Sequence, residues 1–265
     1  MNIGLCIRIV GLLLMLFSLG TLPSMVLGWV QEDGTAVVFG QAFAATAVSG
    51  VFLSLLTQRV NSELQIRDGF LVTAAFWIVL GLYGSLPFLL SNAMQVSVID
   101  AIFESVSGLT TTGATVLDGL DSLPQSILLY RQLLQWLGGI GIIVLAVAVL
   151  PMLGIGGVQL YRAESTGPAK DSKLTPRITS TAKALFSIYL GLTIACALAY
   201  FLAGMSIFDA IGHAFSTIAI GGFSTHDASM GYFDSELILM VASLFMMISA
   251  INFGLHFLVF SKRDL

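Results

Sequence analysis

The stretch ESVSGLTTTGATVLDGL, residues 104–120, interrupts a chain that is otherwise strongly apolar. It holds four threonines and three glycines, which neither a membrane helix nor a soluble core would collect in one place. A Thr/Gly run between hydrophobic segments is commonly an ordinary surface turn. The surrounding sequence decides whether this run is such a turn.

The composition is that of an integral membrane protein. Hydrophobic residues make up 57% of the 265 residues and charged residues only 10%, whereas a soluble domain carries about 25% charged residues. Six uncharged runs reach the roughly 20 residues that a helix needs to cross the hydrocarbon layer. The chain is therefore predicted to be all-α, with spans at residues 9–31, 35–57, 70–90, 132–161, 184–208 and 237–261.

The basic residues orient these spans, since positively charged loops stay in the cytoplasm. With the N-terminus inside, ten of the 11 Lys and Arg residues fall on the cytoplasmic side and only Arg131 lies outside. Both termini are then cytoplasmic. The outer segments are acidic, which concentrates cations or simply keeps those loops soluble.

The chain contains an internal repeat. IDAIFESVSGLTTTGAT at residues 99–115 aligns without gaps with FDAIGHAFSTIAIGGFS at residues 208–224, an offset of 109. An uncharged span precedes each copy, and a polar acidic segment and another span follow it. We therefore predict that a unit of helix, short apolar segment, glycine-containing loop and helix occurs twice.

The short segments at residues 100–109 and 209–218 are about half the length needed to cross a membrane, so they should dip in and return. Asp100 and Asp209 begin them, where a carboxylate can cap free N–H groups and meet the positive end of the helix dipole. The partially negative C-terminal ends would then point toward the membrane centre and favour a cation there.

Irregular backbone follows each short segment, as TTTGAT and then as AIGGFS. Its unpaired polar groups cannot face lipid, so it must be buried in protein or line a water-filled path. Carbonyl oxygens along such a path can replace the hydration shell of a potassium ion, and Gly113 and Gly222 allow the positive φ that this requires. Because the pattern occurs twice, an ion filter is favoured over an ordinary turn.

Other sites are poorly supported. Cys6 and Cys196 lie in or beside separate spans and are interpreted as small hydrophobes, and the histidines lack metal-ligand spacing. A membrane enzyme using His213, His226 and Asp227 for acid/base chemistry is a weaker alternative, because no motif places a nucleophile near them. The glycines after Trp136 are interpreted as helix-packing positions.

The sequence resembles the Trk-type potassium uptake family from its first residue to its last. The resemblance is carried by ESVSGLTTTGAT, LDSLP, YRQLLQWLGGIGIIVLAVAVLP, YRAESTGP, DAIGHAFSTIAIGGFSTHDAS and GLHF. It implies four helix, pore-loop, helix repeats around one pore, preceded by two extra helices, in a bacterial cytoplasmic membrane. This chain would then comprise an extension at 1–68 and two repeats at 69–162 and 163–265.

The resemblance also implies site residues and partners. Gly113 and Gly222 become the filter glycines, and the ion-facing carbonyls belong to Thr111, Thr112, Ile220 and Gly221. Potassium is the transported ion, no cofactor is required, and the implied partners are a second copy in a homodimer and the nucleotide-binding regulatory ring TrkA. The polar segment 162–183 would be its docking surface, or else only a solvated connector.

The family's chain is about twice as long, so the third and fourth filter segments lie outside these 265 residues. A half filter cannot surround an ion, and we expect the C-terminal half, or a second chain, to complete it. The alternative is a non-conducting fragment or assembly module. Glu104, on the first short segment, is either a buried hydrogen-bonded acid, in neutral form, or a group that tunes the potential of the filter.

Overall fold

The computed structural model describes residues 2–58, 66–153 and 178–251, with side chains described throughout except at 66, 142–153 and 178–183. Within these ranges the chain is helical and has no strand. The helices are α1 Ile3–Ser18, α2 Leu22–Val30, α3 Thr35–Leu56, α4 Ile66–Gly84, α5 Leu86–Leu90, α6 Val98–Leu109, α7 Gln125–Leu153, α8 Ile178–Leu202, α9 Ile207–Ala219 and α10 Glu236–Ala250.

Four described stretches are long and apolar enough to cross a membrane: Ile3–Val30, Thr35–Leu56, Arg67–Leu90 and Ala184–Leu202. They correspond to the first, second, third and fifth predicted spans. The fifth ends earlier than predicted, because the helix stops at Leu202 and α9 begins at Ile207. The fourth and sixth predicted spans run beyond the described residues, and their described parts lie in α7 and α10.

The two short helices begin earlier than predicted. α6 has 12 residues and α9 has 13, and their N-caps are Ser97 and Ser206. The hydroxyls of these serines accept hydrogen bonds from the backbone amides of Asp100 and Asp209. The aspartates are therefore the third residues of their helices, and the carboxylate of Asp100 caps α6 by accepting from the amide of Ser97 at 3.3 Å. They still stand in the first turn, where a carboxylate meets the positive end of the dipole.

Helix α7 contributes to the two larger of the three hydrophobic clusters among the described residues. Tyr130 and Leu134 lie in one core with residues of α1, α3, α4, α5 and α6. Ile140 lies in the other with residues of α8, α9 and α10. A single helix therefore positions the loops that follow both short helices.

Small residues bring α7 close to its neighbours. A Cβ on Gly138 would overlap the carbonyl oxygen of Leu109 at the end of α6, and one on Gly139 would overlap the hydroxyl of Tyr189 on α8. The predicted packing role of these glycines is confirmed. Cys6 and Cys196 are both free and buried, in agreement with their interpretation as small hydrophobes.

Candidate ion-filter segments

The same backbone shape follows each short helix. We call residues 110–116 the first loop segment and residues 219–225 the second. φ is +55° at Thr111 and +77° at Gly113, and it is +54° at Ile220 and +88° at Gly222. At the offset of 109 residues, these are equivalent positions.

The sequence predicted positive φ only at the two glycines. Thr111 and Ile220 also adopt it, although left-handed backbone costs an L-residue roughly 1–2 kcal/mol. The matching hydrogen bonds explain why both segments accept this strain. The amide of Thr112 donates to the carbonyl of Ser107 at 2.9 Å, and the amide of Gly221 donates to that of Ser216 at 2.8 Å.

The six residues predicted for the filter lie together. A Cβ on Gly113 would overlap the carbonyl oxygen of Gly221, so the two segments touch backbone to backbone, whereas Gly222 faces open space. Among the described residues, no hydrogen bond ends on a carbonyl oxygen of the six. Those residues are Thr111, Thr112, Gly113, Ile220, Gly221 and Gly222.

A buried carboxylate fastens the first segment to α6. Both oxygens of Glu104 accept from the hydroxyl of Thr115 at 3.0 Å, and Oε2 also accepts from the amide of Val116 at 3.2 Å. Nε of Arg131 donates to Oε1 at 2.7 Å, and both charged side chains are 0% exposed. The expected burial and hydrogen bonding of Glu104 are confirmed, but it is paired with a guanidinium in a salt bridge and is not the neutral acid that was expected.

A buried imidazole fastens the second segment to α9. Nδ1 of His213 lies 2.9 Å from the carbonyl oxygen of Asp209, which can only accept, so Nδ1 carries the proton. Nε2 is then free to accept from the hydroxyl of Ser224 at 2.9 Å. Glu104 and Thr115 in the first repeat correspond in position to His213 and Ser224 in the second.

Arg131 contacts both segments. Its Nη1 donates to the carbonyl of Ser224 at 2.9 Å and its Nη2 to the hydroxyl of Thr115 at 3.2 Å. The guanidinium carbon lies 4.4 Å from the centre of the Phe223 ring. From the sequence, Arg131 was identified only as the one basic residue on the outer side. A single cation among apolar spans, with Glu104 as the available acid, was the signal that could have predicted its contacts with the two segments.

The loops beyond the segments are also joined. Nδ1 of His226 lies 2.5 Å from a carboxylate oxygen of Asp121, while its Nε2 lies 3.2 Å from one of Asp209. The hydrogen bond with His226 holds the pKa of Asp121 below its usual value. Asp227 accepts the amide of Leu120 at 3.0 Å. His226 and Asp227 thus make contacts between the two loops.

The rings of His213 and His226 lie 6.5 Å apart, and the hydrogen bonds of each histidine run to backbone, Ser224 or carboxylates. Within the described part of the chain, no group of three or more His, Cys, Asp or Glu side chains could hold a metal ion. The contacts found around these histidines fasten the loops to the short helix α9 and to each other.

Comparison with known proteins gives consistent results. The family model described as TrkH, a cation transport protein, matches residues 35–265. The Trk system potassium uptake protein TrkH of Halomonas elongata is 57% identical over 265 residues, which are 100% of this chain and 55% of the relative. The protein of the same name from Escherichia coli K12 is 57% identical over 260 residues, 97% of this chain and 53% of the relative.

A solved structure also matches. The crystal structure of the potassium transporter TrkH from Vibrio parahaemolyticus superposes with a TM-score of 0.85 and 55% identity, over 99% of this chain and 53% of that one. The chain thus spans about half the length of the relatives it matches. With a family match over most of its length and an all-helical fold shared with a solved member, the chain belongs to the TrkH family of cation transport proteins.

Proposed function

We propose that this chain is the N-terminal half of a potassium uptake pathway, with a filter formed by Thr111, Thr112, Gly113, Ile220, Gly221 and Gly222. The observation that carries the proposal is that, among the described residues, none of their carbonyl oxygens accepts a hydrogen bond. Unpaired carbonyls at membrane depth are costly unless they face water or an ion. In this proposal a potassium ion exchanges its hydration shell for them.

The short helices support the same function. The C-terminal ends of α6 and α9 lead directly into the two loop segments, so their partial negative charges lie beside the proposed ion path. This charge favours a cation over an anion. It adds to the carbonyl dipoles without placing a carboxylate in the path, and an ion so held can leave again.

The proposed architecture is an extension at 1–68 followed by helix, pore-loop, helix repeats at 69–162 and 163–265. Two loop segments are half of a four-segment filter. The segments missing from these residues would be supplied by the C-terminal half of the transporter. Without them, irregular backbone would meet lipid, at several kcal/mol for each unpaired group.

The proposed setting is the bacterial cytoplasmic membrane with both termini inside. A cysteine replacing Asp118 should react with an impermeant thiol reagent from outside, and one replacing Lys173 should not. The reverse labelling would contradict this orientation.

The names of the relatives refer to a Trk system, which supports the presence of further components. We propose homodimers and a cytosolic TrkA ring docked on residues 162–183, of which 162–177 lie outside the described residues.

The function is tested in Escherichia coli cells that lack their own potassium uptake systems. We expect the 265-residue chain to restore growth at low potassium only together with the C-terminal half of the K12 relative, either co-expressed or fused as a chimaera. Robust uptake by the purified chain alone in liposomes would overturn the half-pore proposal. Failure of the expressed and folded chimaera to take up potassium would contradict the proposed function and favour a non-conducting module.

A further inference from the structure

The helix that follows the first loop segment carries side chains that hold both segments. Arg131 and Gln135 stand about one turn apart on α7 and both are 0% exposed. Helix α7 is part of the first repeat, so its hydrogen bonds to the second loop segment join the two repeats. No local sequence pattern requires this connection.

Arg131 uses three nitrogens on three different acceptors. Nε binds Glu104 on α6, Nη2 binds Thr115 in the first segment and Nη1 binds the carbonyl of Ser224 in the second. The planar guanidinium fixes the directions of these bonds relative to one another. The carbonyl of Ser224 is therefore held at a set distance from Thr115.

Gln135 adds a second attachment on the same face. Its Oε1 accepts from the amide of Phe223 at 3.1 Å. Gly221 lies so close that a Cβ there would overlap the side-chain amide of Gln135. The second segment thus rests on α7 through two successive residues, Phe223 and Ser224, next to the carbonyls proposed to meet the ion.

We propose that Arg131 is a positioning residue that sets the spacing between the two loop segments and thereby the preference for potassium over sodium. The proposal rests on the proposed function. Selectivity by carbonyl oxygens depends on their number and arrangement, and Arg131 links the side chain of Thr115 in one segment to the backbone of Ser224 in the other. Glu104 supplies the counter-charge without which a buried guanidinium is strongly unfavourable.

The test uses a chimaera in which these 265 residues replace the matching part of the Escherichia coli relative. Arg131→Lys keeps the charge but cannot reach three acceptors with fixed geometry. Thr115→Val removes, at equal size, the hydroxyl that accepts from Arg131 and Leu117 and donates to Glu104, and Thr115→Ser retains that hydroxyl. Trp136→Phe is the matched control, because it removes a hydrogen bond from α7 to Thr193 at 3.0 Å, and the ring of Trp136 contacts Tyr189 and Phe215, which lie outside both loop segments.

Two quantities are measured in purified, folded variants. Losing charge-assisted hydrogen bonds predicts about a tenfold or larger fall in the potassium-to-sodium uptake ratio for Arg131→Lys and Thr115→Val. Thr115→Ser and Trp136→Phe should keep the original ratio. Amide hydrogen exchange should accelerate in both loop segments for Arg131→Lys and only in the first for Thr115→Val, with α1 and α3 unchanged.

An unchanged uptake ratio in folded Arg131→Lys would overturn the proposal, and so would faster exchange confined to the first segment. If Arg131→Lys does not accumulate, the contrast between Thr115→Val and Thr115→Ser decides: equal ratios overturn the proposal. An unmodified chimaera without potassium uptake contradicts the proposed function. In that case the exchange pattern still shows separately whether Arg131 links the segments.

Discussion

Compared position by position, the two loop segments have left-handed backbone at the same places and the same hydrogen bonds to the ends of their short helices. They differ in what fastens them. Glu104, paired with Arg131, holds the first through charge, whereas neutral His213 holds the second through Ser224. Repeats that share a backbone shape can therefore use different side-chain chemistry, because the shape requires only an acceptor at that point on the short helix.

The largest effect is expected when the negative charge that fastens the first loop segment is removed. Glu104→Gln keeps the size but leaves Arg131 buried without a counter-charge, which typically costs about 3–5 kcal/mol. His213→Gln loses neutral hydrogen bonds, at about 1–3 kcal/mol. Thermal unfolding of the purified chimaera should show the larger loss for Glu104→Gln. Equal losses would mean that charge does not distinguish the two fastenings.

The two glycines offer a second contrast. Gly113→Ala and Gly222→Ala both place a Cβ at positive φ, with strain on the order of 1 kcal/mol. At Gly113 the Cβ would also overlap the carbonyl of Gly221, while at Gly222 it enters open space. We expect both variants to lose preference for potassium over sodium in uptake assays, Gly113→Ala more severely. Unchanged selectivity in both, at similar expression, would rule out these loops as the filter.

The smallest effect concerns the loops outside the segments. The hydrogen bond with His226 depresses the pKa of Asp121, so the carboxylate stabilises the fold above its unfolded pKa of about 3.9. That stability is lost as the pH falls through the depressed folded pKa. Asp121→Asn should lower the melting temperature slightly at neutral pH. Below about pH 4, the melting temperature of this variant should fall less steeply with decreasing pH than that of the unsubstituted protein.

Asp118→Asn, a neighbouring exposed carboxylate, is the control for that measurement and should keep the original profile of melting temperature against pH. A profile of Asp121→Asn that matches the unsubstituted protein would show that the contact between Asp121 and His226 contributes nothing to stability.

The membrane class, four of the six predicted spans and the positions of the two glycine-containing loops could be predicted from the sequence alone. Hydropathy and the need to pair backbone polar groups in lipid act along contiguous residues, so they can be read locally. The repeat added the half-length helices before each loop. The short helices were predicted to start at Asp100 and Asp209, two residues late, because Ser97 and Ser206 were not weighed as N-caps.

The side chains that surround the loops could not be predicted from the sequence, because they come from distant parts of the chain. Arg131 binds Glu104, which is 27 residues away in the sequence, and Ser224, which is 93 residues away. Ile220 adopts a positive φ that its own side chain does not favour, and backbone hydrogen bonds of the second loop segment stabilise it. These contacts depend on α7 packing against the ends of both short helices, with Gly138 beside Leu109 of α6 and Gly139 beside Ala219 of α9. Such packing is a property of the assembled helices, since a buried polar group takes whichever partner the fold brings within reach.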